Sequence, residues 1–210
     1  MKYLAIIPAR KNSHRLRSKN KKKLMGTPLI EYTIKTAKKI NLFENILVST
    51  DDNDIIKIAK KNKVLAPWIR PKNLSGPKVS TYRVVKHALD WYENEYKKID
   101  AIFLLQPTSP FRTKKNIEET LKLFKSHKFK KSIISISKSQ SKSKLKNSKV
   151  FVPNGLTYLI SKKLLLKYRS FINKDNVPYL INNHKEAIDI DYPRDWAKAI
   201  KMLQKKKNEK

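Results

Sequence analysis

Apolar and polar positions alternate along the chain in a way that predicts strands and helices in turn. Short, nearly continuous apolar runs, typical of strands buried on both faces, occupy residues 3–7, 45–50, 101–106 and 132–137. Segments with helical spacing of apolar residues lie between or after them, at about 28–41, 52–62, 78–97 and 114–126. In the last segment, Ile117, Leu121 and Phe124 fall on one helical face. A polar residue, Thr113, precedes that face and predicts the start of the helix.

This order of elements predicts an α/β fold, in which helices cover both faces of a mostly parallel sheet. Ligands of such sheets bind beyond the carboxyl ends of the strands, so we expect the site in the loops after Ile7, Thr50 and Gln106. The later elements are predicted as a short strand at 156–160, a helix near 161–169, an extended segment near 187–191 and a final helix from about 193.

One segment interrupts the pattern. Residues 137–149 contain only Ser, Lys, Gln, Leu and Asn. This composition indicates a flexible linker or an exposed lobe over residues 137–150. Residues 205–210 are predicted to be a frayed tail. The sequence has no internal repeat, so we expect a single domain over residues 1–210.

Composition limits the function classes. Forty-nine Lys and Arg against seventeen Asp and Glu give a net charge of +32, but the lysines occur in nearly every segment and accompany no nucleic-acid-binding motif. We therefore expect mainly surface lysines, with non-specific nucleic-acid binding at low salt. The chain has no cysteine and no apolar run long enough for a membrane span or a signal peptide, so we expect a cytoplasmic protein.

The loop after the first strand is the first candidate for chemistry. Between Ala9 and Lys23 it contains no glycine, although glycine-rich loops are the usual phosphate cradles. It carries instead Arg10, Arg15 and Lys19, among other bases, and these groups can neutralise a triphosphate through their side chains. On local evidence alone, a solvated basic loop is an equally good interpretation.

Two carboxylates near the end of the chain are the second candidate. On a strand, Asp189 and Asp191 would point to the same side while Ile188 and Ile190 face the core. Two carboxylates with triphosphate oxygens would make a hard-oxygen site for Mg²⁺. The alternative is a pair of salt bridges, in a chain with so many bases.

The stretch IIPARKNSHRLRSKN, from residue 6 to 20, resembles the signature of the acylneuraminate cytidylyltransferase family, which activates sialic, legionaminic and related nonulosonic acids as CMP-sugars. The segments GTPLIEYTI, VSTDD, RPKNL, LLQPTSPFR, PNGLTY and IDID are similar to later family motifs and follow in family order. The resemblance implies a Rossmann-like three-layer nucleotidyltransferase fold and a homodimer, with a small dimerisation lobe that is shortened here.

The resemblance also implies roles for individual residues. Arg10 and Lys19 would contact the triphosphate of CTP as catalytic residues, with Lys19 stabilising charge at the α-phosphate. The other implied nucleotide-binding residues are Ala9, Asn20, Arg70 and Ser80, and those for the sugar acid are Gln106, Asn154 and Tyr158. Mg²⁺ would bind at Asp189 and Asp191. The reaction would transfer CMP from CTP to the anomeric hydroxyl of a nonulosonic acid and release pyrophosphate.

Two other functions stay open at this point. One is a cytidylyltransferase for an eight-carbon keto-deoxy sugar acid, and the other is a non-catalytic relative that binds polyanions through its basic surface. The match also has departures: His14-Arg15 replaces the usual Lys-Gly, and Val152 replaces a frequent arginine. Lys149 or Arg112 would then have to pair with the sugar carboxylate. Lys19 is expected to bury little surface, as a loop lysine.

Overall fold

A computed structural model describes residues 1–13, 15–138 and 150–208, with side chains up to residue 204. The predicted linker lies mostly outside these residues, except that Ser137 and Lys138 belong to a strand rather than to a linker. The final helix continues to Asn208, so the described part of the predicted tail is helical.

The described residues form eight strands, six α-helices and two short 3₁₀ helices. The strands are β1 (Tyr3–Ala9), β2 (Lys23–Leu24), β3 (Thr27–Pro28), β4 (Phe43–Thr50), β5 (Ala101–Leu104), β6 (Ser132–Lys138), β7 (Phe151–Ser161) and β8 (Asn176–Leu180). The helices are α1 (Leu29–Lys38), α2 (Asn53–Lys61), α3 (Thr81–Glu95), α4 (Lys114–Ser126), α5 (Lys162–Tyr168) and α6 (Pro193–Asn208), and the 3₁₀ helices are Lys19–Lys21 and Lys72–Leu74.

Six strands form the central sheet, in the order β4-β1-β5-β7-β6-β8. Five of them run in one direction, and only β7 is antiparallel to its neighbours β5 and β6. Strand β7 follows β6 in the chain without an intervening described helix, and antiparallel pairing needs no crossover helix. The prediction of a mostly parallel sheet is therefore confirmed.

The two faces of the sheet bury two separate apolar clusters, and this explains the continuous apolar run of β1. Tyr3, Ala5 and Ile7 pack into the cluster that includes α1, α2 and α4. Leu4 and Ile6 pack into the opposite cluster, which includes α3 and α5. The result is the three-layer arrangement of helices, sheet and helices that the alternation of elements predicts.

Two local predictions differ from the structure. Strand β8 was not predicted, because it is a half-exposed edge strand that contains Pro178. Residues 188–191 were expected to be extended beside the core on a strand, but they form no part of the sheet.

A third apolar cluster holds that segment in place. Ile188 and Ile190 pack with Leu16 from the loop after β1 and with Trp196 from α6. This cluster brings the end of the chain against the basic loop, although the two are far apart in sequence.

The predicted start of α4 is correct. The Thr113 hydroxyl accepts a hydrogen bond from the Asn116 backbone, and the Asn116 side chain accepts one from the Thr113 backbone, so the helix begins with a reciprocal cap. Across the described part of the chain, every helix is too short or too polar to span a membrane.

Candidate functional site

Two clefts open near the carboxyl ends of the central strands. We call the first the Lys19 cleft; it measures about 610 Å³ and its lining includes Arg10, Lys19, Asn20, Arg70, Gln106 and Asp191. We call the second the Asn154 cleft; it measures about 620 Å³ and its lining includes Lys138, Val152, Asn154, Leu180, His184 and Asp189. The loops after β1 and β5 both contribute to the Lys19 cleft, where parallel strands end and ligands usually bind.

The basic loop is organised around one carboxylate. The ammonium group of Lys19 donates to the backbone carbonyl of Ile190 at 2.8 Å and to the Asp191 carboxylate at 2.7 Å. Arg15 donates to the other oxygen of the same carboxylate at 2.9 Å. The loop turns at Ser18, whose φ of 53° lies in the left-handed region that glycine usually occupies.

The expectation that Lys19 buries little surface is wrong. Its relative exposure is 7%, because the chain end folds over it and supplies both of its hydrogen-bond acceptors. A buried ammonium group of this kind is fixed in position by its acceptors, so it can present a localised positive charge to the cleft.

Arg70 adds a second fixed cation. Its guanidinium donates to the Ser49 carbonyl, the Asp51 carboxylate and the Ser75 hydroxyl, each at 3.3 Å, and the residue is almost fully buried. Burial lowers the pKa of Arg70, Asp51 acts in the opposite direction, and the positive charge of Arg10 lowers the pKa further. The mutual repulsion of Arg10 and Arg70 indicates a place where a bound anion would be stabilised.

Other predicted nucleotide residues support this cleft from outside. Asn20, in the lining, donates to the Arg10 carbonyl at 3.0 Å and so ties the two ends of the basic loop together. Ala9 is fully buried at the end of β1, beside Thr50 of β4. The Ser80 hydroxyl caps α3 by accepting from the Arg83 backbone, while its neighbours Val79 and Thr81 line the cleft.

The two candidate metal carboxylates occupy different positions. Asp191 lines the Lys19 cleft, and Asp189 lines the Asn154 cleft, so the strand geometry that predicted one shared side is wrong. The alternating burial is correct, since Ile188 and Ile190 are both in the core. The Ile190 backbone donates to the Thr108 carbonyl at 2.8 Å, which fixes the segment against the loop after β5.

Asp189 nevertheless interacts electrostatically with its neighbours. Burial raises its pKa to about 6, and the negative charge of Asp191 also raises it, whereas Thr108, Lys19 and Arg112 act in the opposite direction. The Oδ1 atom of Asp189 is buried and accepts no hydrogen bond from any described residue. A buried, unpaired carboxylate oxygen is costly unless a ligand completes its contacts.

The fit of these residues to a Mg²⁺ ion depends on Asp189, because both carboxylate oxygens of Asp191 are paired with Arg15 and Lys19, as the salt-bridge alternative expected. Asp189 has an unpaired oxygen, and Asp191 is close enough to affect its charge. The described residues contain no group of three or more acidic or histidine side chains that could hold a metal by themselves. Mg²⁺ usually binds through one or two carboxylates together with substrate phosphates, so Asp189 would serve as one protein ligand, and Asp191 would serve as a second after releasing Lys19 or Arg15.

The Asn154 cleft has a polar floor with an unused donor. Asn154 is 4% exposed, and its Oδ1 accepts from the Leu156 backbone at 3.2 Å. Its Nδ2 atom is buried, and the described residues offer it no acceptor. An unpaired donor on a residue that lines a cleft indicates a missing ligand acceptor.

Gln106 of the Lys19 cleft packs against Gly155, which follows Asn154 of the other cleft, and we call this contact the junction. Gly155 has a φ of +64°, and a Cβ atom built on it would lie 2.6 Å from the Gln106 Oε1 atom. A glycine is therefore required for Gln106 to pack against this turn. Gln106 lines the Lys19 cleft, and its backbone nitrogen donates to the Gly155 carbonyl at 3.4 Å, so the junction joins this cleft to the chain neighbour of Asn154.

Tyr158 supports this junction from the core. Its hydroxyl accepts from the Gly155 backbone at 3.2 Å, and the residue is 7% exposed within the cluster of α3 and α5. Burial raises the pKa of Tyr158, with a smaller effect from Asp189 in the same direction. The geometry places Tyr158 behind Gly155, as a support for the turn.

The suggestion that Arg112 pairs with a sugar carboxylate is wrong. Its guanidinium is buried and donates to the carbonyls of Gln106 at 2.7 Å and Gly155 at 3.1 Å, to the Leu156 carbonyl, and to the Thr33 hydroxyl at 2.8 Å. These bonds use the donors of the side chain to hold the junction of the two clefts. Lys149, the other suggestion, lies outside the described residues.

Sequence reasoning missed several lining residues. Thr108 falls inside the quoted motif LLQPTSPFR, so its position beside Asp189 could have been suspected. Lys138 was assigned to the Ser/Lys-rich linker, and His184 follows no motif, so neither carried a local signal. Lys138 reaches the Asn154 cleft through the pairing of β6 with β7, and His184 follows β8, which pairs with β6.

Comparison with known proteins gives a consistent result. The family model for cytidylyltransferases matches residues 4–207. The chain is 31% identical to CMP-N,N'-diacetyllegionaminic acid synthase of Legionella pneumophila, with 97% of each chain covered. It is also 31% identical to N-acylneuraminate cytidylyltransferase of Escherichia coli, and it spans 54% of that longer protein.

A solved structure supports the fold independently. The structure of a CMP:2-keto-3-deoxy-manno-octonic acid synthetase complexed with CTP superposes with a TM-score of 0.73, covering 98% of this chain and all of that one. The identity is 13%, so this likeness concerns the fold alone.

Proposed function

The chain belongs to the cytidylyltransferase family, and on this basis we propose that it transfers CMP from CTP to the anomeric hydroxyl of a nonulosonic acid and releases pyrophosphate. The observation that carries the proposal is a cation-rich cleft, lined by Arg10, Lys19 and Arg70, whose Gln106 packs against Gly155, the residue that follows Asn154 of the second cleft. One cleft is rich in fixed cations, and the other contains unpaired polar atoms.

The triphosphate of CTP occupies the Lys19 cleft in this proposal. Arg10, Lys19 and Arg70 supply positive charge, and Asn20 holds the loop that carries two of them. Ala9 and Ser80 contribute no charge in this proposal. Ala9 would place its backbone beside the nucleotide, and Ser80 would place the start of α3 there. The role of Lys19 is to stabilise negative charge at the α-phosphate during transfer.

The reaction is a phosphoryl-type substitution. The anomeric oxygen attacks the α-phosphorus and forms the new P–O bond, the hydroxyl proton is released, and the bond from the α-phosphorus to the bridging oxygen breaks. Pyrophosphate leaves with that oxygen. Such transfers depend mainly on positioning and charge neutralisation, which the Lys19 cleft supplies. Asp189 and Asp191 would hold Mg²⁺, which would offset the charge of the triphosphate.

The sugar acid occupies the Asn154 cleft. The unpaired Nδ2 of Asn154 is available to donate to an acceptor oxygen, and Gln106 lies beside the next residue, Gly155, at the junction. Tyr158 contributes by holding Gly155 in its turn. The apolar side chains of Val152 and Leu180 suit the acyl groups of an N-acylated sugar, the class named for the relative in Legionella pneumophila.

Assembly and location are further parts of the proposal. We propose a homodimer, supported by the exposed apolar side chains of Phe151, Val152 and Leu180 around one cleft. A cytoplasmic location is supported by the absence of cysteine from the sequence. The net charge of +32 supports non-specific binding of nucleic acid at low salt, as a side property of the surface.

The experiment that tests the proposal is pyrophosphate release from CTP and Mg²⁺ in the presence of single acids. The panel contains sialic, legionaminic and pseudaminic acids and an eight-carbon keto-deoxy acid, and mass spectrometry identifies the CMP-sugar. We expect release with a nine-carbon acid. Pyrophosphate release with the eight-carbon acid alone would mean that the acceptor is an eight-carbon acid instead of a nine-carbon one. CTP binding without pyrophosphate release in the presence of any acid would contradict the proposal.

Asp191→Asn separates the enzyme from a non-catalytic polyanion-binding protein. The variant should lose about 100-fold or more in Mg²⁺-dependent turnover, because it removes a metal carboxylate and the acceptor that positions Lys19. Binding to a nucleic acid at low salt should not change by more than a small factor. Unchanged turnover would contradict the assignment of Asp191 as a Mg²⁺ ligand.

A further inference from the structure

The Asn154 cleft has little positive charge for a site proposed to bind an acid. Among its described lining residues, Lys138 is the one Lys or Arg side chain, and His184 is the one histidine. The cleft also contains Asp189, whose negative charge opposes the binding of another carboxylate when no cation is bound to it. An acidic ligand therefore needs a cation that lies away from Asp189 or outweighs it.

The register of the sheet places Lys138 at the mouth of this cleft. Lys138 is the last residue of β6 and lies opposite Phe151, and the adjacent pair is Ser137 with Val152. All four residues line the cleft. Lys138 is exposed and forms no salt bridge with a described carboxylate, in contrast to Lys19 of the other cleft. Its charge is therefore available to a ligand.

The polar floor of the cleft gives a second observation. Asn154 lies three residues after Phe151 on β7, is 4% exposed, and has a buried Nδ2 donor with no described acceptor. One strand pair thus supplies a cation at the mouth and an amide donor at the floor. Together they match the acceptor oxygens of a polyhydroxylated acid.

We propose that Lys138 is the residue that binds the carboxylate of the sugar acid, and so determines the preference of the Asn154 cleft for an acid. This inference deepens the proposed function and rests on it. In a 2-keto sugar acid the carboxyl carbon is bonded directly to the anomeric carbon. A cation that holds the carboxylate therefore also orients the hydroxyl that attacks the α-phosphorus.

The first test compares wild-type protein with Lys138→Ala in steady-state assays with Mg²⁺. The KM for the sugar acid should rise by about 10–100-fold, the range for losing a hydrogen bond to a charged group, and the KM for CTP should change less than about 2-fold. Lys138→Arg should recover most of the loss. Lys115→Ala, which removes an exposed lysine from α4, is the matched control and should leave both values unchanged.

The second test changes the ligand in place of the protein. The carboxamide of the sugar acid lacks the negative charge, so it should bind more weakly than the acid to wild-type protein and equally with the acid to Lys138→Ala. Persistence of the full preference for the acid in Lys138→Ala would overturn the inference and leave the proposed function intact. Wild-type protein that releases no pyrophosphate with any acid would overturn both.

Discussion

The Lys19 cleft and the Asn154 cleft have nearly the same volume, about 610 and 620 Å³, but they differ in how their cations and amide groups are paired. In the first, cations are already paired: Lys19 with Asp191 at 2.7 Å and Arg70 with Asp51 at 3.3 Å. In the second, the Asn154 Nδ2 atom is buried without a described partner.

The difference indicates how each cleft selects its ligand. Paired cations are held in fixed positions without a ligand, and an incoming triphosphate competes for them with the carboxylates of the protein. An unpaired buried donor costs free energy until a ligand accepts its hydrogen bond, so it favours a neutral oxygen of matching shape. The first cleft thus recognises the triphosphate through cations held by the protein's own carboxylates, and the second recognises the sugar acid through the amide of Asn154 and the charge of Lys138, which are unpaired among the described residues.

The largest predicted effect comes from removing the Arg112 guanidinium, which holds Gln106 and Gly155 together. Arg112→Leu leaves the carbonyls of Gln106 and Gly155 without their buried donor, which should lower the free energy of unfolding by about 3–5 kcal/mol. Thermal unfolding should then occur about 10 °C lower. The KM values for both substrates should rise in whatever protein remains folded.

A matched control for this variant is Arg83→Leu, which changes an exposed arginine on α3. It should alter the free energy of unfolding by no more than about 0.5 kcal/mol. An unchanged melting temperature for Arg112→Leu would mean that Arg112 does not hold the junction.

The next prediction affects the Lys19 cleft alone. Lys19→Met keeps the buried stem but removes the charge, and kcat should fall by about 100-fold or more because charge at the α-phosphate is no longer stabilised. The KM for the sugar acid should stay within about 3-fold of the wild-type value, as expected for a change confined to one cleft. Steady-state rates with Mg²⁺ measure both quantities.

Lys21→Met is the control from the same 3₁₀ helix. Lys21 pairs with Asp52 and Asp54 and does not line the cleft, so its kcat should change less than about 2-fold. Equal losses in the two variants would attribute the effect to the loop as a whole.

The smallest predicted effect is a gain in stability. Burial raises the pKa of Asp189 from 3.8 to about 6, so its ionised form destabilises the folded protein above pH 6. As the pH falls from 6 towards 4, the folded protein takes up this proton before the unfolded chain does, and the wild type recovers the lost stability. Asp189→Asn should therefore be more stable than wild type at pH 7.5, by about 1–3 kcal/mol, and nearly equal at pH 4.

Thermal unfolding of both proteins at the two pH values checks this prediction. Asp90→Asn, at an exposed position on α3, should show a difference of at most a few tenths of a kcal/mol. A less stable Asp189→Asn at pH 7.5 would mean that the carboxylate is satisfied without a ligand.

Much of the fold was predictable because its central strands are buried on both faces. The run from Tyr3 to Ile7 alternates between two apolar clusters, and such a run is almost continuous in sequence. Strand β8 was not predictable in this way, since it is an edge strand with exposed positions and Pro178. The antiparallel direction of β7 likewise depends on which strands it pairs with.

The site was predictable in its location and less so in its detail. The rule that ligands bind at strand ends, together with the motifs, located the basic loop and Gln106. The burial of Lys19 depends on an acceptor 171 residues away, at Ile190, and no local pattern carries that information. The same is true of Lys138, which reaches its cleft through strand pairing.

The central claim is that the Lys19 cleft binds CTP and the Asn154 cleft binds the sugar acid. The most direct test compares two variants with these two substrates. Arg10→Ala changes the Lys19 cleft and Lys138→Ala changes the Asn154 cleft, and the KM values for CTP and for the sugar acid are measured for each. We predict that Arg10→Ala raises only the KM for CTP and that Lys138→Ala raises only the KM for the acid, each by about 10-fold or more. Equal effects of either variant on both substrates would contradict it.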